Sequence, residues 1–213
     1  MTQLQAFALI ASLSLAAGCA EPPLAPAVGA LQPSFAVGGR AYEPGEEQVV
    51  TDLTRGSWAI QPAGVGQILA QTFTPGSNQW LGYLEIPVGC PNNVRLNVKI
   101  REGLDGPVLY QANIAGLPTV VDGTFQLIQV FDSATSHHGI RLHRNREYAF
   151  ELAAFPASGA AATTCAISTG PAGSSYARGR GYYQDPINGP SFLPIPTGTP
   201  TDDEDLPFVT RVR

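Results

Sequence analysis

The sequence predicts an all-β fold, a single-domain antiparallel β-sandwich, on three observations. Residues 94–102 read Val-Arg-Leu-Asn-Val-Lys-Ile-Arg-Glu, apolar at even numbers and polar or charged at odd ones up to the closing Glu102. Successive side chains of an extended chain point to opposite sides, so Val94, Leu96, Val98 and Ile100 share one face and Arg95, Asn97, Lys99 and Arg101 the other. The 23 Gly and 19 Pro supply the tight turns that many short strands need. No window carries the apolar period of an amphipathic helix, and no internal repeat suggests a propeller or solenoid.

From the start of the chain, residues 6–18 form an apolar run closing on small residues, and Cys19 follows. Such a run is shaped like the core of a signal peptide and is short for a transmembrane helix. Leu15-Ala16-Ala17-Gly18-Cys19 resembles the lipobox of bacterial lipoproteins. That resemblance implies that residues 1–18 are a cleaved signal peptide and that Cys19 is lipidated and becomes the N-terminus. It also implies a chain that is exported and membrane-anchored in the envelope or on the surface of a bacterium. An ordinary secretory signal with an incidental cysteine is the alternative. Residues 19–45, with Pro22, Pro23, Pro26, Pro33 and Pro44 and the pair Gly38-Gly39, show neither period and read as a tether. The sandwich is assigned to residues 46–213.

Within it, residues 48–53 are expected as a short edge strand and residues 67–74 as the next, ended by the turn cluster at 75–78. Residues 80–88 form a strand whose alternation places Trp80, Gly82, Leu84, Ile86 and Val88 inward and Leu81, Tyr83 and Glu85 outward. Pro91-Asn92-Asn93 turns the chain into the strand at 94–102, and residues 103–107 turn it out. Strands follow at 108–114, 125–131 and 140–142, with Asp122-Gly123 and Arg144-Asn145-Arg146 as turns. In 147–155, Tyr148, Phe150 and Leu152 oppose Glu147, Ala149 and Glu151. Residues 163–168 and 206–212 complete the set.

The runs at 71–74, 98–101, 146–152 and 206–212 resemble jelly-roll β-sandwich modules of bacterial secreted and surface proteins. In such modules the terminal strands commonly lie together, and many are non-catalytic, some binding carbohydrate. The resemblance implies no ligand-contacting motif on particular residues here.

Three cysteines are present. With Cys19 lipidated, Cys90 and Cys165 remain as a pair for a disulfide in an exported chain. Two buried free thiols are the alternative, and no His or Cys spacing near either supports a metal site. With 12 Lys and Arg against 17 Asp and Glu, the net charge of -5 disfavours nucleic acid.

Catalytic signatures are missing: no Gly-x-Ser-x-Gly accompanies Ser174-Ser175, and His137-His138 and His143 read as surface positions. The acidic run at 202–205 lacks EF-hand spacing and reads as a solvated charge run. The stretch 170–198 is read as a long loop whose Tyr176, Arg178, Arg180, Tyr182, Tyr183 and Asp185 are the ligand-binding candidates, with Asn188 and Phe192 nearby. Aromatic faces beside polar donors and acceptors suit sugars, while the same side chains also suit pinning a loop to the sandwich. The expected function is non-enzymatic: ligand contact or display, with no cofactor and with the membrane, a glycan or an envelope protein as partner. A carbohydrate-active hydrolase using that loop, with Asp185 as a carboxylate, and a purely structural envelope component are the alternatives.

Overall fold

In the computed structural model, which describes residues 57–64, 66–120, 125–136, 139–156, 164–168, 178–187, 189–195 and 205–213, the alternating stretch forms an interior strand of an antiparallel sheet. The described strands are β1 (Ser57–Ile60), β2 (Ile68–Phe73), β3 (Gln79–Gly89), β4 (Val94–Arg101), β5 (Val108–Ile114) and β6 (Leu127–Asp132), then β7 (Ile140–Leu142), β8 (Tyr148–Pro156), β9 (Cys165–Ser168), β10 (Gly181–Gln184), β11 (Leu193–Pro194) and β12 (Val209–Val212). One helical turn, α1 (Ser133–Ser136), follows β6, where the Asp132 carboxylate accepts the Ala134 N–H at 2.8 Å. Among the described residues no helix is long and apolar enough to cross a membrane. The expected leader, the tether and the strand at 48–53 lie outside the described residues.

The strands make two six-stranded antiparallel sheets. One runs β11-β10-β2-β8-β4-β5; the other runs β1-β9-β3-β12, with β6 and β7 also paired to β3. Tyr83, Leu84 and Glu85 each pair with both β12 and β6, so those strands flank β3 on opposite edges. β1 and β12 share a sheet but are separated by β9 and β3. Between the sheets lies one main core. Val94, Leu96, Val98 and Ile100 of β4 join Tyr148, Phe150, Leu152 and Ala154 of β8 against Leu84, Ile86, Val88, Ile128 and Phe131 of the opposing sheet. Phe208 locks the two layers, with its ring centroid 5.9 Å from Phe73 and 5.4 Å from Phe150. The Tyr148 hydroxyl accepts the His143 N–H at 2.9 Å and donates to the Arg141 carbonyl at 3.3 Å, closing the corner between β7 and β8.

Two facings differ from strict alternation. Leu81 is fully buried and Trp80 is 49% exposed, the reverse of the sequence expectation, whereas Leu84, Ile86 and Val88 face inward as expected. Arg211 opposes Tyr83 and Val212 opposes Leu81, so Gly82 is an extra residue that switches the phase of β3. A Cβ at Gly82 would meet the Arg211 carbonyl at 3.1 Å. On the other edge, Leu84 opposes Phe131 and Glu85 opposes Gln129, so Val130 is the extra residue and it faces the core together with Phe131. The turn at 143–146 is closed by Asn145 at φ 61°, a left-handed conformation that Asn tolerates.

The expectation of a solvated acidic run at 202–205 fails at Asp205, its described member. Asp205 is buried because Gln71, on the inner face of β2, donates to its carboxylate at 2.7 Å, while the Gln71 carbonyl oxygen accepts the Leu206 N–H at 2.7 Å. The amide thus clips the start of the last segment to β2. The stretch 170–198, expected as a loop, contains β10 and β11: Tyr182 pairs with Ala70 of β2 and Pro194 of β11, extending the sheet rather than leaving it.

Cys90 and Cys165 form a disulfide, as the cysteine count predicts, at a sequence separation of 75 and with Cα atoms 4.3 Å apart. It joins the segment after β3 to the first residue of β9. Replacing both by Ala should lower unfolding free energy by about 2–5 kcal/mol, read by urea titration. A second prediction concerns pH. Burial raises the Tyr110 phenol above its usual 10.0. Below pH 10 this group's contribution to stability is fully present. As pH rises through its folded pKa the contribution is lost, because the unfolded phenol has already ionised. Denaturant titrations at pH 9 and 11 should show an alkaline loss that Tyr110→Phe reduces.

Candidate functional site

The outer face of the β11-β10-β2-β8-β4-β5 sheet follows from the same alternation that fills the core. Register puts Gln111, Lys99, Glu151, Ala70, Tyr182 and Pro194 in one row across all six strands. The neighbouring row holds Asn113, Asn97 and Ala153, and beyond it Arg95 lies opposite Phe155. Alanines at 149 and 153 keep this part of the face low between taller polar side chains. Phe155 stands 58% exposed, an aromatic at a position where β8 otherwise presents small or charged side chains.

A cleft of about 590 Å³ opens over Asn97, Lys99, Gln111, Asn113 and Phe155. A second, of about 340 Å³, shares Lys99 and Ala63 with it and continues past Glu151 and Ile68 to Gln184 and Phe192. A third, of about 320 Å³, shares Ile68, Gln184 and Pro190 with the second and ends at Asp185 and Gly189. Shared walls make the three one groove across the sheet.

Its centre is electrostatic. The Glu151 carboxylate, 6% exposed, accepts from Lys99 Nζ at 2.5 Å and from Arg101 Nε at 2.8 Å, while Arg101 Nη1 donates to the Gly106 carbonyl at 3.0 Å. Lys99 is directly opposite Glu151 and Arg101 diagonal to it, the geometry in which cross-strand pairs interact. One row away, Asn97 Nδ2 donates to Asn113 Oδ1 at 2.8 Å.

The residues singled out from the sequence are divided by the strand that carries them. Tyr182 belongs to the outer row, whereas Tyr183 packs against the core and stacks on Trp58 with centroids 6.2 Å apart. Arg180 brackets Thr72 through its backbone, with its N–H donating to Thr72 Oγ1 and its carbonyl accepting the Thr72 N–H, both at 2.9 Å. Arg178 lies over Gly76, its Nη1 2.7 Å from where a Cβ there would stand. Asp185 lines the third cleft and accepts the Ile187 N–H at 2.9 Å. Tyr176, Asn188, Ser174, Ser175, His137, His138 and residues 202–204 lie outside the described residues. His143 is exposed in the turn after β7. Among the described residues no three His, Cys, Asp or Glu side chains gather to hold a metal ion.

No family model matches the chain. Over 50 residues it is 38% identical to an aminomethyltransferase of Xylella fastidiosa strain M23, and equally to that of strain 9a5c, covering 24% of this chain. The chain spans 14% of the length of these relatives. Among solved structures, that of the infectious bursal disease virus Gx strain is 14% identical with a TM-score of 0.32, covering 76% of this chain and 35% of that one. The Gt strain structure is 12% identical with a TM-score of 0.29, covering 86% and 42%.

The groove residues Asn97, Lys99, Gln111, Asn113 and Phe155 were not among the sequence candidates. The signal for them was present: an aromatic on the polar side of a strand, facing the polar side of its neighbour. Glu151→Ala should remove two charge-assisted bonds and leave Lys99 and Arg101 adjacent without their shared counter-charge. A loss of about 1.5–3 kcal/mol is expected in urea denaturation, smaller in high salt because both cations are partly exposed.

Proposed function

We propose that the protein is a non-enzymatic, lipid-anchored envelope protein whose sandwich holds a glycan against the outer face of the β11-β10-β2-β8-β4-β5 sheet. The observation that carries this reading is the groove, whose largest part is lined together by the exposed Phe155 ring and the side-chain amides of Asn97, Gln111 and Asn113. A sugar has an apolar ring face and a rim of hydroxyls. An aromatic platform beside groups that both donate and accept meets both needs. Glu151, with each oxygen bound to a cation, is suited to a fixed wall rather than to proton transfer. On this reading Cys19 carries the lipid and residues 19–45 hold the sandwich off the membrane.

The Cys19→Ala chain, applied to a glycan array, should give reproducible signals that Phe155→Ala weakens about tenfold, the factor for about 1.4 kcal/mol of lost stacking. Signals indifferent to Phe155→Ala would move the contact away from the groove, and none at all would argue against glycan binding. For the anchor, globomycin should make the unaltered chain accumulate as an unprocessed precursor, and unchanged processing would remove Cys19 from the account.

A further inference from the structure

We propose that the groove selects acidic oligosaccharides and that Lys99 reads their carboxylate. This deepens the glycan reading above and rests on it. The chain has a formal net charge of -5 and one lysine, Lys99. That lysine stands where the two larger parts of the groove meet, lining both. Arg95 and Arg101 lie on the same face of β4, which gives this side of the strand three cations. Against them stand the Glu151 carboxylate, shared by Lys99 and Arg101, Asp105 at the wall of the second cleft and Asp185 at the end of the third. Over the groove as a whole the charges balance, but the cleft of about 590 Å³ has Lys99 as the one charged side chain of its described lining, and complementarity favours an anion at that point.

The depths of the two charges decide which one a ligand meets. The Glu151 side chain is 6% exposed and the Lys99 side chain 23%. The carboxylate lies beneath and fixes the ammonium above it. An ammonium has three donors, and among the described residues Lys99 Nζ bonds Glu151, so further N–H groups remain for a second acceptor. One row away, the bond from Asn97 to Asn113 leaves the Asn97 carbonyl oxygen and the Asn113 amide group for neighbouring hydroxyls.

Spacing sets the length of the ligand. Phe155 lies opposite Arg95, and Glu151 lies opposite Lys99. The stacking ring and the row of the ammonium are thus four residues apart along β8, about 13 Å at roughly 3.3 Å per residue. One sugar ring does not cover that span, so the ligand has at least two units, one stacked on Phe155 and an acidic one reaching Lys99.

The test pairs uronic-acid oligosaccharides with their methyl esters, which keep the hydroxyls and remove the charge. The Cys19→Ala chain should bind the acids about tenfold more tightly than the esters at low salt. The preference should shrink with added salt and vanish in Lys99→Met, which keeps an unbranched stem without the charge. A readout on the same chain with Lys99 intact covers the chance that this variant misfolds. Acylation of Lys99 by an amine-reactive ester, located by peptide mapping, should slow severalfold with the acids and not with their esters. Equal binding of acid and ester, lost in Phe155→Ala, would overturn the acidic preference and leave the glycan groove standing. Silence from every acidic and neutral glycan would overturn both.

Discussion

Everything in this molecule follows from the two-sidedness of β8. Tyr148, Phe150, Leu152 and Ala154 face inward between β2 and β4, and the sandwich closes over them. The residues between them, Ala149, Glu151, Ala153 and Phe155, then have no choice but the outer face. Core and groove are two sides of one ribbon. Shifting the pairing of β8 by a single residue would bury Glu151 in the core and lift Phe150 out of it, so the packing that stabilises the fold also fixes the groove in register.

Much of the architecture was legible because alternation is strong where one face is dry and the other wet. β2, β4, β5, β7 and β8 stand where their patterns put them. The exceptions have local causes. In β3, Gly82 reverses the phase, and a glycine in an apolar run announces neither a bulge nor its absence. β10 and β11 hide in a stretch rich in Gly, Pro and Tyr. Four residues and two residues are too few for a period to emerge, and they are strands because β2 offers them an edge. Asp205 reads in the sequence with its acidic neighbours, and its partner, Gln71, is far away along the chain.

The site was less legible than the fold, for a related reason. Sequence draws the eye to clusters, and the stretch 170–198 has one. The groove instead assembles single residues from several strands, each unremarkable alone: Asn97 and Lys99 from β4, Gln111 and Asn113 from β5, Phe155 from β8. Adjacency across a sheet depends on register, which no one segment encodes. Tyr182 and Tyr183 make the opposite point, since neighbours in the chain are assigned to opposite sides of the sheet.

The position of β12 has a consequence for how the fold closes. β12 pairs with β3 alone and closes that margin of the sheet, and Phe208 just ahead of it sits between the layers. More than a hundred residues separate these partners, so their pairing carries a large loop-closure cost and comes late. Without this segment β3 would keep a long hydrophobic edge unpaired, and the space that Phe208 fills against Phe73 and Phe150 would stand empty, so the sandwich is open along one side until β12 docks.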